Sequence, residues 1–165
     1  MIYFAEGESA MATNAEAVVR AAYHAAEGSV LDVQGFMDLF AEDGVFNNVV
    51  AGESYRGEHL GDLVVFMAKL APDVHREFHR FHVMGNVVTV ELSIQGTFTG
   101  PFETPAGVIQ PTGAKLDIPT ADFWYIEDGK IKEFNCYVGL SVMLAQLGVQ
   151  PDFASAVTAS PATTA

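Results

Sequence analysis

Apolar side chains recur every three or four residues along roughly the first 70 positions, and this spacing predicts three amphipathic helices. The first helix should start at the capping pair Thr13 and Glu16 and end at Gly28. The second should start at Asp32, whose side chain can cap it, and Pro72 should close the third. We therefore expect the chain to begin with a helical layer.

From about residue 75 the apolar period falls to two, which is typical of β-strands. The dipeptide at residues 85–86, Gly-Asn, favours a two-residue hairpin turn. That turn would place His79 opposite Leu92 on the apolar face of the hairpin. It would leave Arg76 on the polar face.

Two further strands, 114–126 and 130–138, flank an Asp-Gly turn, and Asp122 stands in the first of them among apolar and aromatic neighbours. A two-residue turn would place Asp122 opposite Asn135. A three-residue turn with a glycine bulge would shift the register by one. In that case Asp122 would share a face with Thr120, Trp124, Phe134 and Cys136. The pattern alone leaves both registers open.

The remaining segments set the limits of the domain. Residues 99–113, with several prolines and glycines, predict a long loop that can close over a cavity mouth. A final helix is expected at 139–147. We therefore expect a single domain at 13–148, a flexible extension at 1–12 and a mostly disordered tail at 149–165.

Charge narrows the choice of partners. The 165 residues are half hydrophobic and include 21 acidic and 8 basic side chains, for a formal net charge of −13. Such a surface repels nucleic-acid phosphates and anionic lipids, so we expect neither a nucleic-acid nor a membrane partner. No apolar run reaches the roughly 18 residues of a membrane span, and a signal peptide is not indicated. The single cysteine, Cys136, rules out an internal disulfide and favours a cytoplasmic location.

Asp122 is the strongest candidate for chemistry. Desolvation raises the pKa of a buried carboxyl group toward neutrality, which acid–base catalysis requires. His79, on the predicted core face, is its candidate partner. Strand alternation separates His82 from His75 and His79, so no metal site is expected. An apolar pocket also needs aromatic walls, and the candidates are Tyr23, Phe46 and Trp124.

Three stretches carry a resemblance to a known family. They read F-A-E-D-G-V-F-N-N at 40–48, Y-R-G-E-H-L at 55–60, and P-T-G-A-K-L-D-I-P-T-A-D-F-W-Y-I-E-D-G-K-I at 111–131. In this order they resemble the nuclear transport factor 2-like superfamily and, within it, the SnoaL-like polyketide cyclases. The resemblance implies an α+β fold in which a conical, curved antiparallel sheet packs on three N-terminal helices around a deep pocket. It also implies a homodimer, and it favours the bulged register for Asp122.

The resemblance further assigns positions in the site. In the cyclases a catalytic aspartate stands at the position of Cys136, and two polar pocket residues stand at Thr120 and Asp122. A pocket asparagine stands at Phe46, close to Asn48. In the similar ketosteroid isomerases the general base stands at Asn48, where this chain has an amide.

Limonene-epoxide hydrolases are also similar to this chain. They place a water-positioning asparagine at Asn48. Their Asp-Arg-Asp set, however, falls at Ile94, Leu92 and Cys136, none of which has the required side chain. The resemblance therefore implies the pocket of these enzymes without their catalytic set.

Our first hypothesis is a cofactor-independent cyclase or isomerase that acts on an apolar carbonyl or ring-containing substrate. Asp122 would move a proton next to a carbonyl, and His79 or Asn48 would donate a hydrogen bond to the enolate oxygen. The substrate-binding residues would be Tyr23, Phe46, Asn48, Thr120, Trp124 and Cys136. The alternatives are a non-catalytic binding protein for a small hydrophobic ligand, an epoxide hydrolase-like enzyme and a protein-interaction module.

Overall fold

The computed structural model describes residues 5–160, with side chains from residue 14 onward. The helices are α1 (Ala5–Ala26), α2 (Val33–Asp38), α3 (Asp62–Leu70), α4 (Leu140–Gln146) and α5 (Phe153–Ala159), with a 3₁₀ turn at Gly57–His59. The strands are β1 (Phe40–Asn48), β2 (Glu53–Tyr55), β3 (His75–Met84), β4 (Val87–Thr97), β5 (Phe102–Thr104), β6 (Gly107–Ile109), β7 (Lys115–Glu127) and β8 (Lys130–Val138). The predicted α+β class is confirmed.

Six strands form the main sheet in the order β2-β1-β8-β7-β4-β3, and β5 and β6 form a separate hairpin. All neighbouring pairs of the main sheet are antiparallel except β1 and β8, which run parallel. The sheet is therefore mixed, where the sequence led us to expect a purely antiparallel one. A parallel pair needs a long connection, and here most of the domain lies between the two strands.

The predicted limits of the helices are correct only in part. Asp32 caps α2 as expected, since its carboxylate accepts a hydrogen bond from the Gly35 amide at 2.8 Å. The first helix begins at Ala5 rather than at Thr13, because the alanine-rich sequence before Thr13 also favours a helix. Residues 1–4 of the predicted extension lie outside the described residues.

The predicted disordered tail contains a helix. Asp152 caps α5 by accepting from the Ser155 amide at 2.9 Å, and the alanine-rich segment that follows has a high helix propensity. The content of Ala, Ser, Thr and Pro, on which the prediction of disorder was based, was therefore the wrong criterion for residues 153–159. Residues 161–165 lie outside the described part of the chain.

The hairpin of β3 and β4 has the predicted turn but not the predicted faces. Met84 pairs with Val87, as a two-residue turn at 85–86 requires. Further along, a bulge at His79 shifts the register, so that Phe78 rather than His79 pairs with Leu92. Because a one-residue slip exchanges the two faces of a strand, Arg76 turns toward the helices and His79 becomes exposed.

In the hairpin of β7 and β8, by contrast, the predicted register is present but the predicted turn is not. Asp122 pairs with Cys136, as predicted for the bulged register. The cause differs from the prediction, because Glu127 pairs with Lys130 across a two-residue turn and the extra residue is Lys132, within β8. Asp128 and Gly129 have φ values of 50° and 74°, which fits the type I′ turn of two-residue hairpins.

The sheet has an inner face, which carries Asp122 and packs on the helices, and an outer face. Phe123, Tyr125 and Tyr137 are partly exposed on the outer face. The homodimer implied by the family resemblance would use this face, and it stays a prediction. None of the helices described within residues 5–160 has the length and apolar character needed to cross a membrane.

Candidate active site

A cavity of about 490 Å³ lies between the inner face of the sheet and helices α1, α3 and α4. Its walls are mainly apolar and include side chains from every one of these elements. Phe102, from the β5–β6 hairpin, also lines it and packs on Phe66 of α3 with ring centroids 5.8 Å apart. The loop predicted at 99–113 therefore supplies part of the cavity wall.

The arrangement of the sheet explains which side chains meet in the cavity. Side chains of paired residues on neighbouring strands point to the same face of a sheet. Asn48 pairs with Cys136, and Cys136 pairs with Asp122, so these three form one row across β1, β8 and β7. Phe46, Phe134 and Trp124 form the next row, and all six line the cavity.

Asp122 is the most buried charged group in this cavity, with only 3% of its surface exposed. Its Oδ2 accepts a hydrogen bond from the Tyr23 hydroxyl at 2.6 Å. That hydroxyl in turn accepts from Trp124 Nε1 at 3.0 Å, so the indole and the phenol fix the carboxyl group in one orientation. Oδ1 has no partner in the described part of the chain.

Burial raises the pKa of Asp122 from its ordinary value of 3.8 to about 6. The Tyr23 hydrogen bond, the adjacent Cys136 thiol and the positive charge of Arg76 each lower this pKa, but desolvation outweighs them. Both protonation states of the carboxyl group are therefore populated near neutral pH. A group of this kind can take up and release a proton without a large energy difference between the two states.

Aromatic rings form one wall beside Asp122. Trp124 and Phe134 are stacked at a centroid distance of 3.5 Å, and Phe134 stacks on Phe46 at 4.3 Å. Tyr23 meets Trp124 edge-to-face at 5.2 Å. A planar, apolar ring system would find a matching surface on this wall.

Arg76 is a site residue that the sequence did not reveal. It is buried, and within the described residues it is the only Lys, Arg or His side chain that lines the cavity. Its Nη1 donates to the carbonyl oxygen of Ala26 at 2.6 Å, at the end of α1, and lies 3.6 Å from Glu27 Oε1. The bulge at His79 turns it inward, and nothing in the sequence pattern marks that bulge.

Asn48 lies nearer the cavity mouth and contacts two polar side chains there. Its Nδ2 donates to Glu53 Oε2 at 3.2 Å, and the same oxygen accepts from the Tyr55 hydroxyl at 2.8 Å. Burial and the neighbouring Glu53 raise the pKa of Tyr55 to about 12, so its hydroxyl stays protonated. One of the two Asn48 N–H groups is therefore engaged by Glu53, and the role of Asn48 as the enolate donor stays a prediction.

Two other residues predicted to belong to the site, His79 and Thr120, do not line the cavity. His79 is exposed outside the cavity, with Nε2 3.0 Å from Ser93 Oγ, so the prediction that it partners Asp122 is wrong. Thr120 shares the inner face but does not line the cavity, and its hydroxyl donates to the Ile118 carbonyl at 3.2 Å. Cys136 does line the cavity. Burial raises the pKa of its thiol well above the ordinary value, which keeps it neutral and argues against a nucleophile.

A family model described as a SnoaL-like domain matches residues 16–134. No curated protein shows significant sequence similarity to the chain.

Solved structures with the same fold include three bacterial proteins. A protein with a ketosteroid isomerase-like fold from Catenulispora acidiphila, in complex with trimethylamine, is 24% identical with a TM-score of 0.65, over 81% of this chain and 93% of that one. AclR from Streptomyces galilaeus, provisionally named a hydroxylase, is 21% identical with a TM-score of 0.71, over 92% and 95%. IdmH from Streptomyces antibioticus, provisionally named a polyketide cyclase, is 22% identical with a TM-score of 0.67, over 82% and 99%.

Proposed function

Because the chain belongs to the SnoaL-like domain family, we propose that it is a cofactor-independent enzyme that moves a proton on a small, mainly apolar ring ketone. The observation that carries this proposal is the buried Asp122 carboxyl group. Its Oδ1 is unpartnered and lies in an apolar cavity of about 490 Å³, and its pKa is about 6. A cavity of this size accommodates a drug-sized molecule.

The proposed reaction begins at Asp122 Oδ1. In its ionised form this oxygen removes a proton from the carbon next to the substrate carbonyl, and the electron pair of that C–H bond forms the enolate. Tyr23 keeps Oδ2 occupied, so Oδ1 is the atom free to react. The protonated carboxyl then returns the proton to another carbon, which isomerises the substrate, or to the oxygen formed when the enolate carbon attacks a second carbonyl, which closes a ring.

Negative charge that develops on the enolate oxygen needs stabilisation, and Arg76 can provide it. The guanidinium is buried at the cavity wall, where charge interactions are stronger than in water. It takes over the role first assigned to His79. Ketosteroid isomerases also contain a carboxyl group whose pKa is raised by its apolar site.

The second candidate is a non-catalytic binding protein for a small hydrophobic ligand. The observation that favours it is Cys136, a neutral thiol at the position where the cyclase resemblance implies a catalytic aspartate. Epoxide hydrolysis has less support, because Ile94 and Leu92 line the cavity at the positions of the Asp and Arg of those enzymes.

Deuterium exchange tests the proposal without knowledge of the natural product. Ring ketones, beginning with 1-tetralone, are first screened for stabilisation of the protein against heat, since a ligand that binds only the folded state raises its stability. Bound ketones are then incubated with the protein in D₂O, and NMR follows deuterium incorporation next to the carbonyl. We expect incorporation above the buffer rate. Binding without incorporation would contradict the enzyme and favour the carrier.

A further inference from the structure

Two buried side-chain oxygens lack a hydrogen-bond partner within residues 14–160, and both belong to residues that line the cavity. They are Asn48 Oδ1 and Asp122 Oδ1. Buried polar atoms are almost always paired, since an unpaired one loses its hydration without compensation. The Asp122 oxygen is the one assigned to proton transfer, whereas the Asn48 oxygen indicates that a ligand with a hydrogen-bond donor completes its hydrogen bonding.

The Asn48 amide is held in one orientation by its neighbours. Glu53 Oε2 accepts a hydrogen bond from Asn48 Nδ2 at 3.2 Å and another from the Tyr55 hydroxyl at 2.8 Å. A carboxylate has no hydrogen to donate, so turning the amide round would place two acceptor oxygens against each other. Chemistry therefore fixes the nitrogen toward Glu53 and the oxygen toward the cavity, and this oxygen can meet only a hydrogen-bond donor.

The two oxygens belong to the ends of one row of the sheet. Asn48 and Asp122 both pair with Cys136, from opposite sides, so their backbones are separated by two strand spacings, or about 10 Å. Cys136 between them is neutral, and the stacked rings of Phe134 and Trp124 form the adjacent row. Glu53 is exposed whereas Asp122 is buried, so Asn48 marks the outer end of the row.

From this geometry we infer the substrate class: a ring ketone that carries a hydroxyl group at the end of the ring system remote from the reacting carbonyl. Asn48 Oδ1 accepts the hydrogen bond of that hydroxyl near the mouth, and the carbonyl end lies deeper, beside Asp122. The assignment of the carbonyl end rests on the proposed function. The assignment of the hydroxyl end rests on Asn48 and Glu53 alone.

The test compares two probes that differ in one hydrogen-bond donor, 6-hydroxy-1-tetralone and 6-methoxy-1-tetralone, with 1-tetralone as the unsubstituted reference. Calorimetry gives their dissociation constants for the parent, for Asn48→Ala and for the matched control Asn47→Ala. Asn47 is the neighbouring amide on β1, and it bonds instead to Ser54 and Asn135. Thermal unfolding confirms that each variant is folded.

We expect the parent and Asn47→Ala to bind the hydroxy probe about tenfold more tightly than either other probe, and Asn48→Ala to show no preference. Glu53→Gln should weaken the preference as well, because a glutamine side chain allows the Asn48 amide to turn. An equal preference in the parent and Asn48→Ala would overturn the inference, as would the absence of binding of all three probes to the parent.

The outcome is separable from the test of the proposed function. Asp122→Asn leaves Asn48 and Glu53 in place and should retain the preference for the hydroxy probe. A preserved preference without any deuterium exchange in the parent would support the hydroxyl assignment and contradict the enzyme. Deuterium exchange in a parent protein that shows no preference for the hydroxy probe would support the enzyme and contradict the hydroxyl assignment.

Discussion

Asp122→Asn is expected to lower the rate of deuterium incorporation into a bound ring ketone by about 10²- to 10⁴-fold, the usual contribution of a positioned general base. The amide has nearly the shape of the carboxylate, and it can still accept the hydrogen bond that Tyr23 now donates to Oδ2. It cannot take up a proton at neutral pH. Ligand dissociation constants should therefore change much less than the rate.

The matched control for this substitution is Asp117→Asn. Asp117 lies on the same strand as Asp122, but it is exposed and its Oδ1 accepts a hydrogen bond from Gln95 at 3.2 Å. It should retain the parent rate. Exchange at the parent rate in Asp122→Asn would mean that another group removes the proton, and the role assigned to Asp122 would be wrong.

The second large effect concerns stability. The pKa of Asp122 is about 6 in the folded protein against an ordinary value of 3.8. The folded state therefore holds this proton more tightly than the unfolded state does. The resulting stabilisation is present below about pH 4 and is lost as the pH rises through 6. The difference corresponds to about 3 kcal/mol in the free energy of unfolding.

Asp122→Asn removes this dependence, because an amide does not ionise. Relative to the parent, the variant should gain about 2.5 kcal/mol between pH 4 and pH 8, since a small part of the full difference is already lost at pH 4. Denaturant unfolding of both proteins at these two pH values measures the gain, and titrations common to both cancel in the comparison. A constant difference between parent and variant across this range would show that Asp122 ionises as easily in the folded protein as in the unfolded chain.

In this site, the burial that makes Asp122 a suitable base also lowers the stability of the fold. An ionised carboxyl group in an apolar cavity destabilises the fold at the pH at which it can act as a base. A protein selected for stability alone would be expected to have an amide or an apolar residue at position 122. The expected gain in stability and loss of exchange in one variant are therefore two consequences of the same burial.

Much of this arrangement could be predicted from local sequence. The turn at 85–86 and the cap at Asp32 depend on neighbouring residues, and both are present. Asp122 was recognisable because it is a carboxyl group on a strand among apolar and aromatic residues. It shares its face of the strand with Trp124, so burial of that face would bury the carboxyl group as well. The family resemblance supplied the register that places Cys136 opposite Asp122.

The features that escaped prediction depend on distant contacts. The bulge at His79 leaves one residue unpaired, and the sequence around it looks like any alternating strand. It orients Arg76 so that its guanidinium meets the end of α1 and Glu27, residues 50 and 49 positions away along the chain. No local pattern contains that contact. The same reason accounts for the error over His79, whose predicted face assumed an unbroken register.

Other differences have local causes. Asp152 followed by Ser155 and an alanine-rich segment is a capping pattern, and it predicts a helix within the tail at the position of α5. The orientation of Asn48 depends on Glu53, only five residues later, but the pairing of β1 with β2 had to be known first. The hydrogen-bonding role of Asn48 thus required the structure.

The proposed chemistry depends above all on Asp122 being a buried carboxyl group whose pKa is raised toward neutrality. The most direct measurement is the pH titration of its ¹³C carboxyl resonance in protein labelled at aspartate, with the resonance assigned by its loss in Asp122→Asn. We expect a midpoint near pH 6, because burial raises this pKa. We also expect a higher midpoint in Tyr23→Phe, because the phenol hydrogen bond stabilises the ionised form. A midpoint near the ordinary value of 3.8 in the parent would contradict the account.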